Sequence, residues 1–448
     1  MKNISKIISI VFLSFSILLM CYVFYRSQIF HAGIFFDFYL KYYVIASLCI
    51  LFSFISFFIP KKLKINITIF FTSILIGLYL VEGYIIMQYI NKDKFVIYKN
   101  NTGKDYDQRT IFEIYHDLIK EDPNVAYWHS PTTFLDGNDL NYFLLSGLSN
   151  RKTINCNENG YYSIYQSDRY GFNNPDGEWD KDKIEFLLVG DSFTHGACVN
   201  EPDTISGNLR KLYENKSGVL NLGQSASGPL IEYAILREYL SIKKVKRVLW
   251  MYFEKNDLRD LMGELKNKIL VNYLKDKSFT QNLVLRNQEI QKLRLNKLRQ
   301  KTLKQDRLIP YDDITKFLKL TNVRVITIEI FFSVSPTKEF ENILQFSNEL
   351  IKENNSKLYF VYLPHYSRYI SSARYNGKNN HDNSFNYKKV IEIVNNLNIP
   401  IIDVHKESFS KYDDPESLFP FRKRGHYNEK GYQLVAKTIF KKINELEK

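Results

Sequence analysis

Across its 448 residues the chain holds no cluster of His, Cys, Asp and Glu at metal-ligand spacing and no glycine-rich phosphate loop. The sequence therefore offers no case for a metal centre or a nucleotide loop, and no cofactor is expected. No internal repeat is present, which sets aside a solenoid or propeller. Cysteine is scarce, at four residues. Cys21 and Cys49 sit in apolar runs, whereas Cys156 and Cys198 lie further along. Charge is nearly missing from three long stretches, Ile7 to Tyr25, Tyr42 to Pro60 and Ile65 to Ile90, in which Glu82 is the only ionisable acid.

Each stretch is long enough to cross a bilayer, and runs such as VIASLCILFSFISFF lack the polar stripe of a helix packed on a globular core. Lys2 and Lys6 precede the first run, and Lys61, Lys62 and Lys64 stand between the second and third, which places both flanks on the cytoplasmic side. Three crossings then leave everything after about Ile90 outside the membrane. Lys92 and Lys94 argue weakly the other way, but long domains translocate largely regardless of local charge. A cleaved signal peptide is the competing view, yet no small-residue cleavage pattern follows the first run. The expected protein is thus multi-pass in the cytoplasmic (inner) membrane, with the lipid bilayer as a partner and its carboxyl-terminal domain extracytoplasmic or periplasmic.

In an oxidising compartment Cys156 and Cys198 can pair; the alternative is two buried free thiols. The formal net charge of +13 invites a nucleic-acid reading, but no nucleic-acid-binding fingerprint accompanies it. A basic face toward anionic lipid or glycan is expected instead, with no nucleic-acid partner.

From Lys183 onward, apolar strand-like runs alternate with amphipathic helical ones, which is the habit of a parallel sheet covered by helices. IEFLLVG, GVLNLG, VKRVLWMYFE, KLYFVYLP and IPIIDV are the five strands. A doubly wound sheet of this kind carries its functional loops at the strands' carboxyl ends. The organisation expected is a three-helix anchor over 1–90, a lead-in over 91–182 that packs on the catalytic domain, and that domain itself over 183–448 with a basic helical insertion at about 258–324. The insertion reads either as a solvated arm or as a lid or membrane-surface contact. Within the lead-in, Tyr165 to Trp179 is dense in aromatics and turn residues, and reads as a sugar-binding rim or as a packed surface loop.

The strongest local signal is Gly190-Asp191-Ser192-Phe193-Thr194-His195-Gly196, directly after the strand IEFLLV. A serine there stands on a tight strand-to-helix turn with its hydroxyl exposed, and the helix start beside it offers N–H groups to a developing negative charge. At this point the chain resembles the SGNH (GDSL-type) hydrolases, whose motif opens Gly-Asp-Ser and continues with Thr and Gly as Thr194 and Gly196 do. The resemblance runs from about Lys183 to the carboxyl end, apart from the insertion. It implies a flavodoxin-like three-layer α/β/α fold on a five-stranded parallel sheet, with Ser192 as nucleophile.

The other family blocks can be matched in order. NLGQSASGP, Asn221 to Pro229, stands where a backbone N–H joins the oxyanion hole. The family's glycine there is Ala226, with Gly223 and Gly228 as alternatives. MYFEKNDL ends in Asn256-Asp257 where the family has Gly-x-Asn-Asp, so the resemblance implies that Asn256 donates its side-chain amide, although Glu254 replaces the glycine. FRKRGHYNEKGYQLVAKTIF matches the run into the last helix and makes His426 the base that takes the Ser192 proton. His195 is the competing histidine, but it lies too near on the same turn to face Ser192.

The family's acid lies two or three residues before that histidine, and here those positions are Arg424 and Lys423. Asp413, Asp414 and Asp403 remain as candidates, or a Ser-His dyad steadied by a backbone carbonyl. Two cations beside His426 should depress its pKa unless they point away.

The resemblance implies a serine esterase or O-acyltransferase working through an acyl-enzyme on Ser192. The expected substrate is an acyl ester, acetyl foremost, of an envelope glycan, and a membrane acyltransferase is a candidate partner. The alternative is a catalytically impaired SGNH-fold module that binds glycan or scaffolds a membrane assembly.

Overall fold

The computed structural model describes residues 2–30, 36–89, 93–131, 142–214, 216–305, 312–331, 335–369 and 386–448. Ile90 and Lys92, together with part of the insertion, lie outside them. The chain divides into two units, Met1–Ile90 with Pro310–Glu329, and Asn91–Ile309 with Ile330–Lys448.

The first unit holds helices α1 (Lys2–Phe24), α2 (Phe36–Ser56) and α3 (Lys61–Tyr89). All three are long and apolar enough to cross a membrane. Most of their large apolar side chains, Leu18, Leu51 and Phe70 among them, are exposed. Residues 310–329, of which 310–324 were expected in the insertion of the other domain, group with this unit.

The second unit is built on the five strands expected: β4 (Ile184–Gly190), β5 (Gly218–Asn221), β6 (Val245–Phe253), β7 (Lys357–Leu363) and β8 (Ile401–Asp403). They lie in the order β5-β4-β6-β7-β8, every pair parallel. Side chains alternate across the sheet, and both faces are covered, so the strands read as continuous apolar runs. Leu187, Val189, Trp250 and Tyr252 face one layer, packed against Ile231 and Ile235 of α6 (Pro229–Tyr239), Phe340 and Leu344 of α7 (Lys338–Glu353) and Val390 of α8 (Tyr387–Asn396). Phe186, Leu188, Leu249 and Met251 face the other, against Leu209 of α5 (Ile205–Leu212) and Val435 and Ile439 of α9 (Glu429–Leu446). Each such side chain taken fully out of water contributes roughly 1.5–3 kcal/mol.

Caps fix where the covering helices begin. Thr204 accepts from Gly207 N at α5, Asn428 accepts from Gly431 N at α9, and Pro229 opens α6 where no N–H is needed. Ahead of the main sheet, β1 (Val125–Tyr127), β2 (Lys152–Ile154) and β3 (Ile164–Gln166) form a small sheet, with β2 and β3 antiparallel. The stretch Tyr165 to Trp179 is no open aromatic rim: Phe172, Asn173, Asn174 and Trp179 are all buried. Asn173 Nδ2 donates to His195 O and Asn174 Nδ2 to Asn221 O, so this segment is a wedge that braces the loops after β4 and β5.

Candidate active site

The chain runs from β4 outward to β5 and then back across to β6, which leaves a switch point at the carboxyl end of β4, where such folds open a crevice. Gly190 closes β4 with φ +155°. A Cβ there would stand 2.1 Å from Thr194 Oγ1 and 2.7 Å from Met251 O, so only glycine lets the strand turn this tightly. The four-residue helix α4 (Ser192–His195) follows, capped by Asp191 accepting from Phe193 N. Every neighbour of Ser192 on this turn is buried while Ser192 itself is partly exposed.

His426, on the loop before α9, brings Nε2 to 2.9 Å from Ser192 Oγ. Its Nδ1 lies 3.0 Å from Glu158 Oε1, and its backbone N–H donates to Glu158 Oε2 at 2.7 Å. With Nδ1 protonated, His426 donates to Glu158 and leaves Nε2 to accept the Ser192 hydroxyl. That is the tautomer a base requires.

None of the three aspartates weighed from the sequence holds this place. Asp403 accepts from Tyr387 OH and caps Lys406 N, Asp414 pairs with Arg422, and Asp413 is exposed. The carboxylate comes instead from the loop joining β2 to β3, 268 residues before the histidine in the chain. Composition gives no hint of it, because Asn157-Glu158-Asn159-Gly160 reads as an ordinary turn. The available signal was Cys156, two residues away, whose partner Cys198 lies six residues after Ser192.

Those cysteines form a disulfide with Cα atoms 4.7 Å apart. Cys198 Sγ, a Glu158 oxygen and a His426 nitrogen all fall within 4.8 Å of one another, so the bridge packs directly on the pair. Asn159 Nδ2 also donates to Cys198 O, a second tie between the two loops.

Burial opposes charge on both members of the pair, but the Glu158 carboxylate, its hydrogen bond and Asp191 behind it raise His426 above its usual value. His426 in turn holds Glu158 below the usual carboxylate range despite its burial. The depression expected from Lys423 and Arg424 is therefore overturned: both side chains are exposed, and the charges that act on His426 are those of Glu158 and Asp191. His195 faces elsewhere, with Nδ1 3.0 Å from Ser225 Oγ and Nε2 3.3 Å from Tyr165 OH. Burial, then the charge of His426, lowers it to about 3.

The loop after β5 is tied back to Gly190 O by Gln224 N and Ser227 Oγ, and it leaves Ala226 half-buried at φ +60°. Gly223 N donates to Asn221 Oδ1 and Gly228 N to Glu264 Oε1, so both alternative donors are already engaged. Asn256, after β6, donates Nδ2 to Asp260 Oδ2 at 2.6 Å. The same nitrogen stands 3.5 Å from Asp191 Oδ2, which lies 3.4 Å from Ser192 Oγ, so the amide faces the nucleophile across Asp191. Burial pushes Asp191 up to about 6.

Glu254, where the resemblance expected a glycine, points into the protein, where it accepts from Tyr362 OH, His365 N and Arg368 Nε. Arg368 and Glu254 are both wholly buried.

Fold and geometry together define a three-layer α/β/α domain with a Ser–His–carboxylate arrangement at the carboxyl end of its parallel sheet. Neither a family model nor a curated protein matches the chain. Among solved structures it is similar to a lipase/acylhydrolase from Enterococcus faecalis, at 16% identity and TM-score 0.32 over 58% of this chain and 95% of that one. It is similar to an acetyl xylan esterase from Geobacillus stearothermophilus, at 14% identity and TM-score 0.31 over 58% and 94%. A member of the G-D-S-L lipolytic family from Veillonella parvula stands at 12% identity and TM-score 0.30, over 58% and 97%.

Proposed function

We propose that this chain is a membrane-anchored extracytoplasmic serine esterase or O-acyltransferase that acts on acyl esters, acetyl foremost, of an envelope glycan. The observation that carries the reading is the unbroken line Ser192 Oγ, His426, Glu158, with separations of 2.9 and 3.0 Å. In the first step Ser192 Oγ bonds to the ester carbonyl carbon while its proton passes to His426 Nε2, and Glu158 stabilises the imidazolium. The carbonyl oxygen becomes an oxyanion received by the N–H groups of Ser192 and Ala226, and by the Asn256 Nδ2 hydrogen that exchanges its long 3.5 Å contact with Asp191 Oδ2 for the oxyanion. Collapse breaks the carbon–oxygen bond to the alcohol, which leaves with the proton from His426. Water or a sugar hydroxyl then attacks the acyl-Ser192, again losing its proton to His426; the acyl carbon–Oγ bond breaks, and His426 returns that proton to Ser192 Oγ.

The choice of acceptor separates esterase from transferase. The three apolar helices and the outward direction implied by the flanking lysines support an envelope glycan over a soluble ester. A membrane acyltransferase that hands over the acyl group fits the same placement. The reading of an impaired, non-catalytic module drew on the missing acid beside His426 and on the residues Ala226 and Glu254 at glycine positions; Glu158 answers the first of these grounds and leaves the second.

The test is a fluorophosphonate probe applied to the full chain in membranes. Wild type should label at Ser192, and Ser192→Ala should not. Equal labelling of both, or of neither, overturns the proposal.

A further inference from the structure

Glu82 is a lone acid in a helix otherwise free of charge from Ile65 to Tyr89, and the mechanism makes no use of it. It is wholly buried. Its carboxylate accepts three hydrogen bonds from one short stretch: Asn322 N at 3.0 Å and Asn322 Nδ2 at 2.9 Å on Oε1, and Val323 N at 2.8 Å on Oε2. Asn322 and Val323 open the helix Thr321–Phe331, so Glu82 supplies the anionic cap for its free N–H groups and its dipole.

The preceding helix, Asp312–Leu318, docks on the same part of α3. Tyr79 OH donates to Leu318 O at 3.1 Å, the Tyr79 and Phe317 rings lie 5.2 Å apart, and a Cβ on Gly83 would sit 3.6 Å from the Phe317 ring. The turn between the two helices passes through Leu320 at φ +48°. A helical hairpin from the insertion is thus fastened to the third apolar helix at Tyr79, Glu82 and Gly83.

The depth of that contact is set by α3. Its apolar span runs to Met87, so Glu82 lies five residues inside the end, or ~7.5 Å at the rise of an α-helix. A bare carboxylate at such a depth is costly, and three donors from the hairpin remove most of the reason it would be. Ile314, Leu318, Val325 and Ile326 of the hairpin are exposed, as are Leu80, Val81 and Tyr84 of α3 around the dock. Water would make those apolar groups a liability, whereas acyl chains continuous with those around α3 would cover them.

We infer that residues 312–327 re-enter the outer leaflet as a helical hairpin, with Glu82 as its intramembrane hook and lipid acyl chains as the occupant of its apolar face. This rests on the reading of α3 as a membrane span, but not on the catalytic one.

The test uses the full chain in phospholipid nanodiscs, in a Cys21→Ser, Cys49→Ser background, with a nitroxide at Ile326→Cys or at Leu75→Cys in α3. Collision with oxygen, which partitions into lipid, is compared with collision with a water-soluble nickel chelate. Both positions should favour oxygen, and Glu82→Leu should lower the oxygen-to-nickel ratio severalfold at Ile326 while leaving Leu75 unchanged. Asn322→Ala, which removes only one of the three bonds, should move Ile326 the same way by less. Nickel dominating at Ile326 with oxygen dominating at Leu75 overturns the hairpin and spares the anchor; nickel dominating at both overturns the anchor and the hairpin with it. A ratio at Ile326 that neither variant changes overturns Glu82 as the hook.

Discussion

Glu158 grips His426 twice, once through the ring at Nδ1 and once through the backbone N–H, so a single carboxylate fixes both the tautomer and the position of the loop. Glu158→Gln should retain the loop contact and lose the ion. We expect kcat/KM to fall on the order of 10² to 10⁴. Activity needs neutral His426, and Glu158 raises the pKa of that group, so wild type should lose activity as pH drops through a raised pKa. In Glu158→Gln the acid limb should move to lower pH while the plateau falls. A pH–rate profile with an unmoved limb would remove Glu158 from the relay.

The Cys156–Cys198 bridge should act on rate as well as stability, because it holds the loop of Glu158 against the loop after Ser192. Its 42-residue separation gives a loop-closure contribution of about 4 kcal/mol. Reducing the folded protein, or making Cys156→Ala with Cys198→Ala, should lower kcat and shift the acid limb in the direction of Glu158→Gln, with fluorophosphonate still reaching Ser192. Unchanged turnover after verified reduction would limit the bridge to a structural part.

Ala226 stands in left-handed backbone, which costs a side chain roughly 1–2 kcal/mol. Glycine would relieve that cost but adds entropy to the unfolded chain, so Ala226→Gly should leave stability within about 1 kcal/mol and keep the activity. Ala226→Val, branched at Cβ, should lower both melting temperature and kcat. Thermal melts and esterase assays on the three proteins decide it.

Glu254 and Arg368 should behave as a unit. Arg368→Met leaves a buried carboxylate without its counter-charge and should cost about 3–5 kcal/mol. Glu254→Gly should be destabilising too, since it strands the guanidinium. A double-mutant cycle on the solubilised full chain measures the coupling, and additive losses would show that the two act independently.

Much of the second unit was legible because one local rule dominates it. The five strands are runs buried on both faces, and the covering helices carry period-3.6 stripes, so pattern alone locates them to within a few residues. Ser192, Asn256 and His426 were legible as candidates because each stands at a strand end or helix start that sequence signals mark. The three apolar helices follow from length and composition.

What the sequence by itself determined is therefore whatever depends on near neighbours in the chain: the elements, the turn of Gly190, and the residue types the loops present. Tertiary structure alone decided which distant groups meet. Glu158 reaches His426 from a turn that carries no signal, by way of a disulfide that closes two loops. Glu82 caps a helix 240 positions away in the chain. Glu254, where the resemblance expected a glycine, meets Arg368 and Tyr362 in the interior. A carboxylate buried away from water must find its partner wherever the fold supplies one, and no local pattern in the sequence records where that is.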